Sequence, residues 1–129
     1  MNVCIVGVVD EYFRIGLEHI LIRSINQLIP NENIIIYGIY EPCCDVVFID
    51  IDNLSVPVII ATLKSIKIGV MVFIIATWES KFRLVNLALN YKGIYLYKRE
   101  QVNVLKGFIK SKIASNLFSS ERYEAINIY

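Results

Sequence analysis

Chain breakers are scarce in this sequence. Proline occurs three times and glycine six times in 129 residues. That excludes Gly/Ser linkers and Pro-rich segments, and no repeat or low-complexity tract is visible. An excess of charge of one sign is also missing. Thirteen Lys and Arg face twelve Asp and Glu, a net charge of +1. The totals imply no basic face and give nucleic-acid binding no support. Charged residues are only 19% against 56% hydrophobic, which excludes disorder. Yet no apolar run reaches the roughly 20 residues of a spanning helix; the uncharged stretch Ile68–Trp78 falls well short. Asp10 and Glu11 interrupt the N-terminal apolar segment early, which argues against a signal peptide. Three cysteines are an odd count and make no disulfide framework, so a reduced, cytoplasmic setting is expected. Cys43 and Cys44 are adjacent and lack metal-ligand spacing. His19 is the only histidine. Its neighbours Leu17, Ile20 and Leu21 take the buried face, so it reads as a solvated helix position. No nucleophile–base triad can be built around it, and there is no phosphate-binding glycine loop. No enzyme is expected.

What the sequence does have is Ile and Val in short runs, as in buried parallel strands. At 129 residues it suggests one domain with a real core. Val3–Val9 reads as a first strand. Asp10 stands at an N-cap position, Glu11 in a first turn, and Phe13, Leu17, Ile20, Leu21 and Leu28 follow at helical spacing. A helix over 11–28 follows, ended by Pro30 and Asn31. Asn33–Tyr37 and Asp45–Ile51 are the second and third strands. Ser55, Val56 and Pro57 open a helix to about Ile66. Ile68–Ala76 is a fourth strand, Trp78 to about Asn90 a helix, Ile94–Tyr97 a short fifth strand, and Glu100–Ala114 a last helix. Strands alternating with helices imply a parallel α/β sheet covered on both faces. Only Gly38–Cys44 separate strands two and three. A parallel crossover usually needs a dozen or more residues, and these seven span at most about 24 Å. The helix between those strands is therefore expected to be missing or very short.

A doubly wound sheet binds its ligands at the carboxyl ends of its strands. The residues expected there are Asp10 and Glu11, Asp50 and Asp52, Thr77, and Lys98. Carboxylates, a hydroxyl and an ammonium around one crevice suit a divalent cation and a phosphoryl group. Read singly, each has a plain structural account: Asp10 caps a helix, Asp52 opens a loop, Lys98 is a solvated strand end.

Taken together, they carry a resemblance. DVVFIDI at 45–51 resembles the third strand of response-regulator receiver domains, which ends in the phospho-accepting aspartate. Tyr95-Leu-Tyr-Lys98 resembles the Tyr-x-x-Lys of their fifth strand. Tyr12–Leu21 resembles the first helix of the LuxR-type (NarL/FixJ) group, with its Arg-x-Gly-Leu and Leu pair. The match covers roughly residues 3–114. It implies a flavodoxin-like or receiver-like doubly wound sheet of five parallel strands in order 2-1-3-4-5. By resemblance Asp50 is the phosphoacceptor equivalent, Lys98 the salt-bridging lysine and Thr77 the switch hydroxyl, although Ala76 fits that register about as well.

The sequence departs from the family where two acidic residues should end strand one and hold Mg²⁺. Anchored on Gly16, Val8 and Val9 stand there; anchored on the N-terminus, Gly7 and Val8 do. Asp10 and Glu11 come one or two residues too late. Asn53-Leu54 replaces the usual Met-Pro after the phosphoacceptor strand. The reading is a pseudo-receiver that keeps the fold, takes no cofactor and acts through protein contacts. Two alternatives stay open. One is an active, Mg²⁺-dependent receiver in which Asp10 or Glu11 and Asp52 rebuild the acidic site around Asp50. The other is an unrelated flavodoxin-like binding module.

Residues 115–129 are expected to form a linker and an incomplete tail. Phe118–Tyr129 resembles the opening of a LuxR-type helix-turn-helix, with the Glu-Arg order swapped. No recognition helix follows, so DNA would be read only through a domain absent from this chain. A regulator of transcription acting as a homodimer, or as a heterodimer with a related regulator, is expected. Its interface would include Phe82, Tyr91, Tyr95, Tyr97 and Phe108.

Overall fold

The computed structural model describes residues 1–77, 79, 94–98 and 102–128, with side chains in the last segment for 103–116. Five strands form one parallel sheet in the order β2-β1-β3-β4-β5. The strands are β1 (Asn2–Val6), β2 (Ile35–Tyr37), β3 (Val46–Asp50), β4 (Met71–Ala76) and β5 (Ile94–Tyr97). The described helices are α1 (Glu11–Leu28), α2 (Val56–Ser65) and α3 (Val102–Ile128), with a 3₁₀ turn at Ile51–Asn53. This is the expected α/β architecture with the expected strand order. The helix expected over 78–90 lies outside the described residues.

Helix α1 begins where its cap permits. The Asp10 side chain accepts from the Phe13 backbone N–H at 3.2 Å, satisfying one of the free donors of the first turn. Leu17, Leu21 and Ile25 recur every four residues and are buried on the sheet. The helix closes with an Ile29 N–H to Ile25 carbonyl bond, and Pro30 then supplies no donor to continue it. Asn31, at φ 64°, turns the chain back toward β2.

Side chains alternate across the sheet and build a core on each face. Val3, Ile5, Phe48, Phe73 and Ile75 meet Leu17, Leu21 and Ile25 of α1 and Ile109 and Ile113 of α3. The Phe48 and Phe73 rings stack 4.6 Å apart across the adjacent central strands β3 and β4. Ile49, Val72, Ile74 and Ala76 meet Ile59 and Leu63 of α2 on the other face. Strands β3 and β4 are buried along their whole lengths, which accounts for their unbroken Ile, Val and Phe runs.

Residues 38–45 form bends and a turn and contain no helix, as their shortness requires. Several boundaries depart from expectation. Strand β1 runs Asn2–Val6 and not Val3–Val9, because Gly7 leaves the strand at φ 80°. Strand β4 begins at Met71 and not Ile68, because Gly69 adopts φ 95° and ends the turn that leaves Ile68 fully exposed. Strand β2 begins at Ile35 and not Asn33: its register with β1 starts at Asn2 beside Ile35, and Asn33 is held by its carbonyl, which accepts from the Met1 ammonium. Helix α3 was expected to stop near Ala114. Neither Gly nor Pro occurs between Phe108 and Tyr129, and the helix runs on to Ile128.

The cysteines also differ from expectation. Cys4 of β1 and Cys44, just before β3, are joined as a disulfide with Cα atoms 6.1 Å apart. Parallel pairing sets Cys4 beside Val47, so the short connector delivers Cys44 to the same strand neighbourhood. Sequence spacing could not show this, because the pairing is created by the sheet. Cys43 is the free, exposed thiol.

Candidate functional site

The site lies at the carboxyl ends of β3, β4 and β5. Asp50 ends β3 and is 1% exposed. Buried charge is tolerated only when paired and hydrogen-bonded, and this carboxylate is both. Its Oδ1 accepts from the Asp52 backbone N–H at 3.0 Å. Its Oδ2 accepts from Asn53 Nδ2 at 3.2 Å and from the Lys98 ammonium at 2.9 Å. The 3₁₀ turn at Ile51–Asn53 is folded around this one side chain, which caps it.

Lys98 follows β5 and is anchored by its own backbone N–H, which donates to the Ala76 carbonyl at 3.4 Å. Its Nζ lies 2.9 Å from Asp50 Oδ2 and 2.9 Å from Asp52 Oδ2. One ammonium therefore bridges two carboxylates. Burial lowers the Lys98 pKa, but the hydrogen bonds its ammonium donates to Asp50 and Asp52, with their charges, outweigh it and leave the value raised. Thr77 completes the cluster: its hydroxyl donates to Asp52 Oδ1 at a long 3.5 Å. Of the residues expected in the crevice, Asp50, Asp52, Thr77 and Lys98 come together.

The residues that follow β1 do not join them. Gly7 leaves the strand at φ 80°. A Cβ built there would lie 2.9 Å from the Asp50 carbonyl oxygen and 3.0 Å from Leu54. No side chain fits at position 7, so no carboxylate could stand there. Val8 is half-buried and packs against the α1-side core. Val9 is 75% exposed. Asp10 is exposed and spends its carboxylate on the α1 cap; Glu11 pairs with Arg14 at 3.8 Å on the helix surface. The acid brought to Asp50 comes from β3's own continuation, Asp52.

This donor set does not fit a divalent cation of the kind the receiver resemblance implies. Mg²⁺ wants a near-octahedral shell of oxygens. Here the two carboxylates turn toward an ammonium, and β1 contributes none. Among the described residues no group of three His, Cys, Asp or Glu side chains converges.

Of the residues expected at an interface, Phe82 and Tyr91 lie outside the described residues. Tyr95 and Tyr97 are half-buried on β5, and Tyr95 packs against the α2-side core. Phe108 is 37% exposed on α3, with the Lys112 ammonium 5.4 Å from its ring centroid. Asp52 was expected in the crevice, but its spacing of two shows that it shares a side with Asp50 and not that Lys98 reaches both. His19 is exposed on α1, as its flanking residues indicated.

Strand order, the connections and a crevice of acid, hydroxyl and lysine at the strand ends define a receiver-like doubly wound fold. No family model and no curated protein matches the sequence. Among solved structures the chain is similar to a response regulator in red light signaling of R. palustris. The two are 14% identical, the match covers 86% of this chain and 90% of that one, and the TM-score is 0.58. At that identity the likeness establishes the fold alone. Among the described residues no helix is long and apolar enough to cross a membrane.

Proposed function

We propose that this chain is a pseudo-receiver: a regulatory domain of a transcription regulator that works through protein contacts and without phosphotransfer. The resemblance to the LuxR-type group and the receiver-like fold support the regulatory part. The observation that carries the second part is the end of β1, where Gly7 admits no side chain and Val8 packs against the core, so that no acid stands there beside Asp50 to hold a metal. The phosphoacceptor equivalent, Asp50, is 1% exposed and holds three donors, one of them an ammonium shared with Asp52. To accept a phosphoryl group, a carboxylate oxygen must be free to attack phosphorus, and a counter-cation must neutralise the charge that develops. Lys98 supplies one positive charge, as the receiver resemblance implies, but Gly7 and Val8 leave no acid after β1 to recruit a metal. The proposed setting is the cytoplasm. The proposed partner is a second copy or a related regulator, contacted through β5 and α3.

The test is incubation with an acyl-phosphate donor and Mg²⁺, read by intact-mass spectrometry. The expected spectrum shows the unmodified chain. A donor-dependent gain of one phosphoryl group, abolished in Asp50→Ala, would establish the active-receiver reading instead.

A further inference from the structure

The connector between β2 and β3 stands where a doubly wound sheet ordinarily places a helix. What covers β1 and β3 on that face is a small cluster of Cys4, Cys44 and Val47, with Val6, Tyr37, Tyr40, Ile66 and Val70 packed around it. Residues 38–45 have no helical ladder to hold them down. Asp45 is tied to the sheet, its N–H donating to the Asn2 carbonyl, its carbonyl accepting from the Met71 N–H and its carboxylate from the Asn2 N–H. Before it the ties to the rest of the fold are the Glu41 N–H to Cys4 Sγ, the Tyr40 hydroxyl to the Ser65 carbonyl and the Asn2 side-chain amide to the Cys43 carbonyl. The one covalent tie is the disulfide from Cys4 to Cys44, across 40 residues of sequence. It pins the connector to the middle of β1.

The third cysteine separates two accounts of that bond. A permanent staple in an oxidising compartment is poorly served by a free exposed thiol, which invites exchange and crosslinking. Cys43 is such a thiol, one residue from Cys44. In a reducing compartment, by contrast, a disulfide between buried cysteines forms and opens with conditions.

We propose that Cys4 and Cys44 form a reversible redox latch that holds the 38–45 connector over the β1–β3 face. Opening takes a dithiol reductant: its two S–H bonds supply two electrons and two protons, the Cys4–Cys44 S–S bond breaks, two cysteine S–H bonds form, and the dithiol closes to a cyclic disulfide. Closing takes hydrogen peroxide, which accepts the same two electrons and two protons and leaves as two water molecules. Opening frees the connector and uncovers Val47, fully buried in the latched structure, beside the half-buried Val6 and Val70. The latch is independent of the phosphotransfer question, since its residues lie away from Asp50, Asp52 and Lys98.

The experiment compares the chain after mild peroxide treatment and after dithiothreitol. Free thiols are counted in denaturant, and hydrogen exchange is followed by peptide mass spectrometry. The expected count is one thiol when oxidised and three when reduced. Exchange over residues 38–45 should rise at least tenfold on reduction, with α1 and β4 unchanged. Cys4→Ala should exchange like the reduced chain in either condition, and Cys43→Ser should respond as the parent does. Should Cys4→Ala fail to fold, the comparison of the parent in its two states decides alone. Three free thiols after oxidation, a Cys43-linked dimer as the main product, or equal exchange over 38–45 in the two states would each overturn the latch.

Discussion

Replacing Lys98 with methionine removes the ammonium from the ion triad and keeps most of the side chain's length. Asp50 is then left 1% exposed with two neutral donors, and Asp52 loses its cationic partner. Removing one partner of a buried pair costs about 3–5 kcal/mol, because the survivor's desolvation is no longer offset. The Lys98 side chain is 28% exposed and Asp50 keeps its two donors, so the lower end, about 3 kcal/mol, is expected. For a chain of this size that is a fall of about 10 °C in Tm. The assay is urea unfolding followed by circular dichroism, run as a double-mutant cycle with Asp50→Asn. Once the charge on residue 50 is gone the ammonium has less to neutralise. The double variant should therefore recover at least about 1 kcal/mol relative to the sum of the single losses. The pH dependence has a definite sign. The folded pKa of Lys98 lies above its ordinary value of 10.5. Its contribution is therefore complete below 10.5 and is lost as pH rises through the higher folded value. The parent chain should weaken in that alkaline window, and Lys98→Met should not show this component. A Lys98→Met loss under about 0.5 kcal/mol, or strict additivity in the cycle, would show that the ammonium is screened by water and closes nothing.

The remaining expectations concern the backbone, the core and the partner. Gly7→Ala should destabilise by about 2–3 kcal/mol, measured by the same unfolding, since it combines strain at φ 80° with a Cβ 2.9 Å from the Asp50 carbonyl. A parent-like midpoint would mean that β3 and the β1 end yield easily. Ser24 is fully buried on α1 and its hydroxyl has no partner among the described residues. Ser24→Ala should therefore be neutral or stabilising by about 1 kcal/mol in thermal unfolding, and a clear loss would reveal a bonded hydroxyl. If β5 and α3 carry self-association, Phe108→Ala or Tyr97→Ala should weaken the dimer at least about tenfold in sedimentation with the fold intact. A parent chain that stays monomeric at high concentration, with no related regulator bound at this face, would dismiss that surface.

The parts of the fold that were legible in the sequence were those set by local chemistry. Asp10, the Leu17–Leu21 spacing and Pro30 together mark both ends of α1, because cap, stripe and terminator all act within a few residues. The strand Ile94–Tyr97 was likewise legible as a short apolar run before Lys98. The seven residues of the connector foretold a missing helix by arithmetic of reach alone. What escaped depends on contacts between distant segments. Cys4 and Cys44 become neighbours only when β1 and β3 pair in parallel. Gly69 looked like one more member of an uncharged run until its left-handed backbone set the start of β4. At the site, the resemblance pointed to Asp50 and Lys98, and their pairing is what the fold provides. Asp52 was harder to weigh, since its importance comes from Lys98, 46 positions away, reaching both carboxylates. The steric closure at Gly7 was not legible at all, because it depends on how closely the end of β1 passes the Asp50 carbonyl.

The central claim is that the end of β1 supplies no acid with which Asp50 could hold a divalent cation. The most direct measurement is a Mg²⁺ titration of the ¹⁵N-labelled chain, repeated with beryllofluoride as a phosphoryl mimic, following the amide resonances of Asp52, Asn53, Thr77 and Lys98. The account predicts no saturable shifts at millimolar Mg²⁺ in the parent chain, with or without beryllofluoride. Saturable shifts at those four amides, lost in Asp50→Asn, would contradict it.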